Sequence, residues 1–405
     1  MAIRLFKIQV YFTMLLFVML SCKKTFQPNV SNSESFIHVY LEEADQLCWD
    51  IQATNDNGFL LLGESGNFLK MVKTNEKGEL IWQKKITTDS LNSPWIRRLN
   101  DGCRLISSTF GPGNLCKLDP LGNILFMTKF LANDSNLYVF GTPIESSEGN
   151  YLASYSDGYK NSGAGNNKIV HFDKQGKIQR EIPITGASLG GHLAGLELIN
   201  YIDSNQTYLF WGALFPNWNG SFRSDSRFVL AKQKFNGTSL IQSKKVIIDS
   251  NNYENVPANA NVIFTKKKEI MFIFSTTDRN ANVRLRFIKT DDDLNILVEK
   301  YIIIPECKNT FVFGISECPD GNYLLTGSYT LVGYASDQPI AIKIDPNCNI
   351  LWYKTYKTKF SSYFSTGNQT SDGVYYFAGQ TTGFGSLSTL NDFFMMKTDK
   401  DGNLK

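Results

Sequence analysis

Beyond residue 35, short apolar runs alternate with clusters of Gly, Asn, Asp and Ser, and no sustained 3.6-residue apolar period appears. That alternation predicts strands and tight turns throughout. One phrase keeps returning: "NGFLLLGES" at 57–65, "DGCRLISST" at 101–109, "EGNYLASYS" at 148–156, "DGNYLLTGSY" at 320–329 and "DGVYYFAGQ" at 372–380. It belongs to a longer unit. A turn leads an apolar strand ending in Gly, a variable loop follows, then a strand ending in Lys-x-Asp, a second tight turn, and a strand that often carries Trp.

The second turn serves as a ruler. It reads "TNEKGEL", "LDPLGNI", "FDKQGKI", "KFNGTSL", "TDDDLNI", "IDPNCNI" and "TDKDGNL". Its anchors are Gly78, Gly122, Gly176, Gly237, Leu294, Cys348 and Gly402, at spacings of 44, 54, 61, 57, 54 and 54 residues. A period near 50 with several short strands per unit predicts an all-β, seven-bladed β-propeller of four-stranded antiparallel blades. One small sheet cannot shelter both of its faces, so each blade leans on its neighbours. This is why runs such as "LLL" at 60–62 are continuously apolar rather than alternating. Glycine at the anchor suits a turn with positive φ. Leu294 and Cys348 break that pattern and predict two turns of different shape.

The last unit stops at "DGNLK", where its outer strand is due, while an unassigned strand-like stretch, "FIHVYL" at 36–41, precedes the first inner strand. We therefore expect the N-terminal strand to complete blade seven and close the ring, with residues 36–405 forming one domain.

Residues 1–21 read as a signal peptide: Arg4 and Lys7 precede an apolar run from Ile8 to Leu20 that is short for a bilayer span. Met19-Leu20-Ser21-Cys22 resembles a bacterial lipobox, which implies that Cys22 is lipidated (a palmitate-type anchor) and becomes the mature N-terminus. Residues 22–35 then form a polar, flexible tether. The address implied is the outer membrane of a Gram-negative envelope. The periplasmic side is favoured, because "CKKTF" lacks acidic residues after the cysteine.

The repeat itself resembles that of secreted bacterial propellers grouped as quinoprotein-like. The catalytic members of that group typically have eight blades with Trp-docking motifs in nearly all of them. Here Trp82 and Trp352 hold the position, Phe126 replaces it once, and no acidic calcium-and-base set is visible. The resemblance thus implies the fold without the quinone, and we expect no cofactor.

Composition narrows the partners. The formal charge is +3, and without residues 1–21 there remain 39 basic and 38 acidic side chains. That excludes bulk attraction to nucleic acid. Six cysteines remain after Cys22, and an envelope location permits disulfides; Cys103 with Cys116, and Cys318 with Cys348, are the candidate pairs. Asp399, Asp401 and Asn403 look like part of a calcium loop, but the phrase recurs as a turn in every unit, so no metal site is expected. Of the three histidines, His171 stands where other blades place Lys73, Lys117, Lys289, Lys343 and Lys397, and His38 lies in the closing strand. His192 sits in a Gly-rich connection and is a candidate binding residue.

The best functional clue is loop length. The connections between the second and third strands are short in blades one and two, "ESGN" and "FGPG". They are long in blades three, four, six and seven: "SDGYKNSGAGNN", "LFPNWNGSFRSDSR", "YTLVGYASDQ" and "TTGFGSLSTLND". Tyr159, Trp218, Arg223, Asp225, Tyr334 and Phe384 lie there as candidate ligand contacts. The expectation is a monomeric, lipid-anchored module that binds or scaffolds a protein or glycan without catalysis. The alternatives are a scaffold in outer-membrane protein assembly, or a glycan-active enzyme working from the same loops.

Overall fold

The computed structural model describes residues 35–404, apart from 43, 87–94, 100, 108–113, 130–136, 140–141, 158–165, 185–191, 203–205, 216–226, 237, 249–259, 278–282, 306, 332–335 and 383–389. Every element among the described residues is a strand. Seven antiparallel sheets follow one another, and each is lettered A to D from the centre outward. Blade one comprises Gln46–Ala53, Phe59–Ser65, Phe68–Thr74 and Leu80–Ile86. Blade two comprises Trp95–Arg98, Arg104–Ser107, Asn114–Leu118 and Ile124–Lys129. In blade three, strand A is split into Leu137–Val139 and Ile144–Glu145, and Tyr151–Asp157, Asn166–Phe172 and Ile178–Ile184 follow.

Blade four is His192–Ile202, Thr207–Phe215, Arg227–Asn236 and Ser239–Ile248. Blade five is Ala260–Phe264, Ile270–Thr277, Val283–Thr290 and Ile296–Ile302. Blade six is Cys307–Glu317, Tyr323–Leu331, Gln338–Ile344 and Ile350–Thr355. Blade seven takes strands A to C from Ser362–Gln369, Tyr375–Thr382 and Asn391–Thr398. Its strand D is Phe36–Tyr40, paired antiparallel from Phe36 opposite Lys397 to Tyr40 opposite Phe393. The N-terminal strand closes the ring, as the sequence predicts.

The seams between blades are the core. Along strand B of blade one, Phe59 and Leu61 pack on blade seven, while Leu60 and Leu62 pack with Ile106 and Leu118 of blade two. Tyr376 and Ala378 of blade seven face blade one, whereas Tyr375 and Phe377 face blade six. Both faces of strand B are therefore buried, and each large apolar side chain there contributes about 1.5–3 kcal/mol. A polar clasp sits on the closing seam. Buried Lys70 donates to Gln46 at 2.5 Å and pairs with Glu42 at 3.3 Å; Gln46 donates in turn to Asp392 at 2.9 Å. These bonds link blade one, the closing strand's exit and blade seven.

The glycine that ends strand B has a steric cause. In blades one, four, six and seven strand A carries a β-bulge, next to Cys48, Leu196, Val312 and Phe364, which stand opposite Gly63, Gly212, Gly327 and Gly379. A Cβ on Gly63, Gly327 or Gly379 would overlap the strand A carbonyl of Leu47, Phe311 or Tyr363. The equivalent positions in blades two, three and five are Ser108, Tyr155 and Phe274. Strand A pairs without a bulge in blades two and five and is interrupted in blade three. Bulge and glycine are one device: the bent inner strand leans where a side chain would stand.

Two sequence expectations are corrected. The turns at Leu294 and Cys348 have the same shape as the others, with φ of +64° and +60° beside +76° at Gly122, and the same closing hydrogen bonds to Asp291 and Asp345. Both side chains are buried in seams, and that burial offsets the left-handed strain. Neither candidate disulfide forms: all six described cysteines are free. Cys103 packs toward blade three and Cys116 toward blade one. Cys318 packs toward blade seven and Cys348 toward blade five. The partners of each pair lie on opposite faces of one sheet, where sulfurs cannot meet. Burial pushes the Cys116 and Cys318 thiols up to about 12, which makes them inert packing groups.

Candidate functional site

The repeated Lys-x-Asp phrase is a latch between blades. Lys117 donates to Asp101 at 3.0 Å and to the Tyr151 hydroxyl of blade three at 2.9 Å. Lys343 donates to Asp320 at 2.5 Å and to the Tyr375 hydroxyl of blade seven at 2.7 Å. Lys289 reaches Glu269 at 3.4 Å and the Pro346 carbonyl of blade six at 2.8 Å. The Asp that follows each cation caps its turn: Asp399 accepts from the backbone N–H groups of Asp401 and Asn403 at 2.9 and 2.8 Å, and Lys354 of blade six donates to Asn403 at 2.9 Å. An ammonium and two N–H groups thus engage oxygens that a calcium loop would turn inward. His38 donates to the Lys77 carbonyl at 2.9 Å, locking the closing strand to the first turn of blade one.

His171 replaces the latch lysine in blade three. Its Nε2 lies 2.7 Å from the Tyr208 hydroxyl, which accepts from Arg180 at 3.4 Å. Burial, and then the Arg180 charge, depress its pKa from 6.5 to about 3. The folded ring therefore stays neutral over a range in which the unfolded chain takes up a proton. Stability from this group is complete above pH 6.5 and is lost as the pH falls toward 3. Thermal unfolding at pH 7 and pH 5 should show wild type losing about 2 kcal/mol more than His171→Gln; parallel losses would contradict a neutral buried ring.

These groups belong to the seams, which leaves the two ends of the ring as candidate sites. The B and C strands of blades three, four, six and seven end together on one face, with Asp157 opposite Asn166, Leu214 opposite Arg227, Tyr329 opposite Gln338 and Thr382 opposite Asn391. Tyr159, Trp218, Arg223, Asp225, Tyr334 and Phe384 lie between these roots and outside the described residues, as does Cys22. His192 begins strand A of blade four opposite Phe215, and its side chain is likewise outside them.

The same face carries residues that the sequence did not single out. Trp95 opens strand A of blade two, opposite Ser107, and is 36% exposed. Phe311 of blade six is 38% exposed, and the Phe313 ring meets Tyr363 of blade seven at 5.1 Å, tilted by 54°. Trp49, the bulged residue of blade one, donates to Glu64 at 3.1 Å. Burial, and then the carboxylates of Asp45 and Asp337, raise the Tyr363 phenol to about 12. Four consecutive blades, six, seven, one and two, thus set aromatic rings on their innermost strands, with carboxylates beside them. The signal was present in "FVFG", "SYF", "CWD" and "PWI", but it falls in strand A, where the repeat is least regular.

No family model matches the chain, and no curated protein matches it. Solved structures do. The α-L-arabinofuranosidase of Fusarium graminearum aligns over 80% of this chain and 98% of its own, at 12% identity and a TM-score of 0.48. A member of the DUF4221 family from Bacteroides vulgatus aligns over 90% and 99%, at 11% identity and 0.47. The α-L-arabinanase of Penicillium chrysogenum aligns over 76% and 93%, at 9% identity and 0.45.

Proposed function

We propose that this propeller is a lipid-anchored, non-catalytic module of the bacterial envelope that binds a glycan on its long-loop face. The observation that carries the reading is the run of aromatic rings over blades six, seven, one and two, at the end of the ring where the long loops are rooted. Aromatic faces stack on the apolar faces of sugar rings, and flanking carboxylates accept from sugar hydroxyls. The described titratable groups with partners at the seams tie blade to blade, which supports holding a ligand over transforming it. The lipid on Cys22 would keep the module at the outer membrane.

The test is capture from envelope extract by wild type and by Trp95→Ala/Phe311→Ala, with glycans and proteins analysed separately. We expect the wild type to retain a glycan fraction that the double variant loses at unchanged melting temperature. A glycan fraction held equally by both would remove the aromatic wall as the contact. Retention of protein alone would turn the reading to a protein scaffold.

A further inference from the structure

On the opposite end of the ring, where the A–B and C–D turns lie, a cleft of about 160 Å³ opens between blades four and five. Leu209 and Phe264 line it together with Lys232, Lys268 and Asp292. Lys268 holds φ at +61° in the A–B turn of blade five. The corresponding left-handed position belongs to Gly102, Gly149, Gly321 and Gly373 in four other blades, to Asn57 in blade one and to Gln206 in blade four, whose side chain accepts from Arg180 at 3.1 Å. Glycine and asparagine adopt that conformation with little strain, whereas a lysine is strained in it. Strain of this kind persists where the side chain has a use.

The seam itself does not use it. Lys232 completes the local latch, reaching the Asp293 carboxylate and the Asp292 carbonyl, each at 2.8 Å. Neither the Lys268 ammonium nor the Asp292 carboxylate has a partner among the described residues. Beside the paired Lys232, a free cation and a free anion therefore line one small cleft with Leu209 and Phe264.

We propose that this cleft binds a zwitterion the size of one aliphatic amino acid, with its carboxylate on Lys268, its ammonium on Asp292 and its side chain on Leu209 and Phe264. The volume suits a single such molecule, and each charge-assisted contact carries selectivity. The inference is independent of the glycan reading, which concerns the other face.

Calorimetric titration of the full chain with L-leucine, L-leucinamide and N-acetyl-L-leucine tests it. L-leucine should bind saturably, and removing either charge should weaken binding about tenfold or more. Lys268→Asn should abolish the preference over leucinamide, and Asp292→Asn the preference over N-acetyl-leucine. The ligand-free Lys268→Asn protein should melt no lower than wild type, because Asn57 already holds that position in blade one. Absence of saturable binding at about 10 mM L-leucine would overturn the proposal. So would equal affinity for N-acetyl-leucine, unchanged selectivity in the variants, or a lysine whose replacement lowers the melting temperature.

Discussion

Gly379→Ala should destabilise the protein by about 3 kcal/mol, although it adds a single methyl group. Gly379 has no side chain because the Tyr363 carbonyl of the bulged inner strand occupies the Cβ position. The added carbon meets the backbone of the innermost strand rather than a side chain, so no side-chain rotation relieves it. Either strand A of blade seven loses its bulge or the A–B ladder parts. Both disturb Phe364, which lies on that strand and is fully buried against Phe377 and Phe394. Gly321→Ala is the matched control. That glycine has φ of +79° and open space around its Cβ, so alanine there meets only left-handed strain of about 1 kcal/mol. Urea unfolding of the two variants should separate them by about 2 kcal/mol; equal losses would mean that the carbonyl contact is not what the glycine protects.

This pair also shows why the architecture was legible in the sequence. A recurring glycine, a recurring Lys-x-Asp and a recurring turn each answer a constraint that returns from blade to blade. The bulge needs space, the seam needs its cation neutralised, and the C–D turn needs a left-handed residue. Where a blade meets the constraint differently, the sequence signal weakens. Blades four and five, the faintest repeats, hold Gln206 and Lys268 with positive φ where others hold glycine or asparagine. Leu294 and Cys348 misled for a related reason: backbone conformation is shared with glycine, while the side chain answers to the seam.

The disulfide expectation failed on a geometric point that spacing hides. Cys103 precedes a strand in which Arg104 pairs with Leu118, and Cys116 stands opposite Ile106, so the two sulfurs are out of register as well as on opposite faces. The aromatic wall was missed because inner strands vary most. Their bulges interrupt the period-2 pattern on which strand reading depends.

Removing Phe36–Tyr40 is the other change with a large expected effect, and it bears on the whole architecture. Those five residues supply the outer strand of blade seven. Tyr40 is buried in the seam between blades seven and one and donates to the Gly78 carbonyl at 2.7 Å. Phe36 and His38 pack against the Gly78 turn. Without them, blade seven has three strands and an open edge at the point where the ring meets itself, and the apolar side of blade one loses its cover. The direct measurement is the melting temperature of the protein lacking residues 36–40, alone and with the peptide FIHVYL in excess. A ring of mutually sheltering sheets predicts a fall of about 10 °C or more, partly recovered by the peptide. An unchanged melting temperature would show that the circle does not depend on its N-terminal strand, and would contradict it.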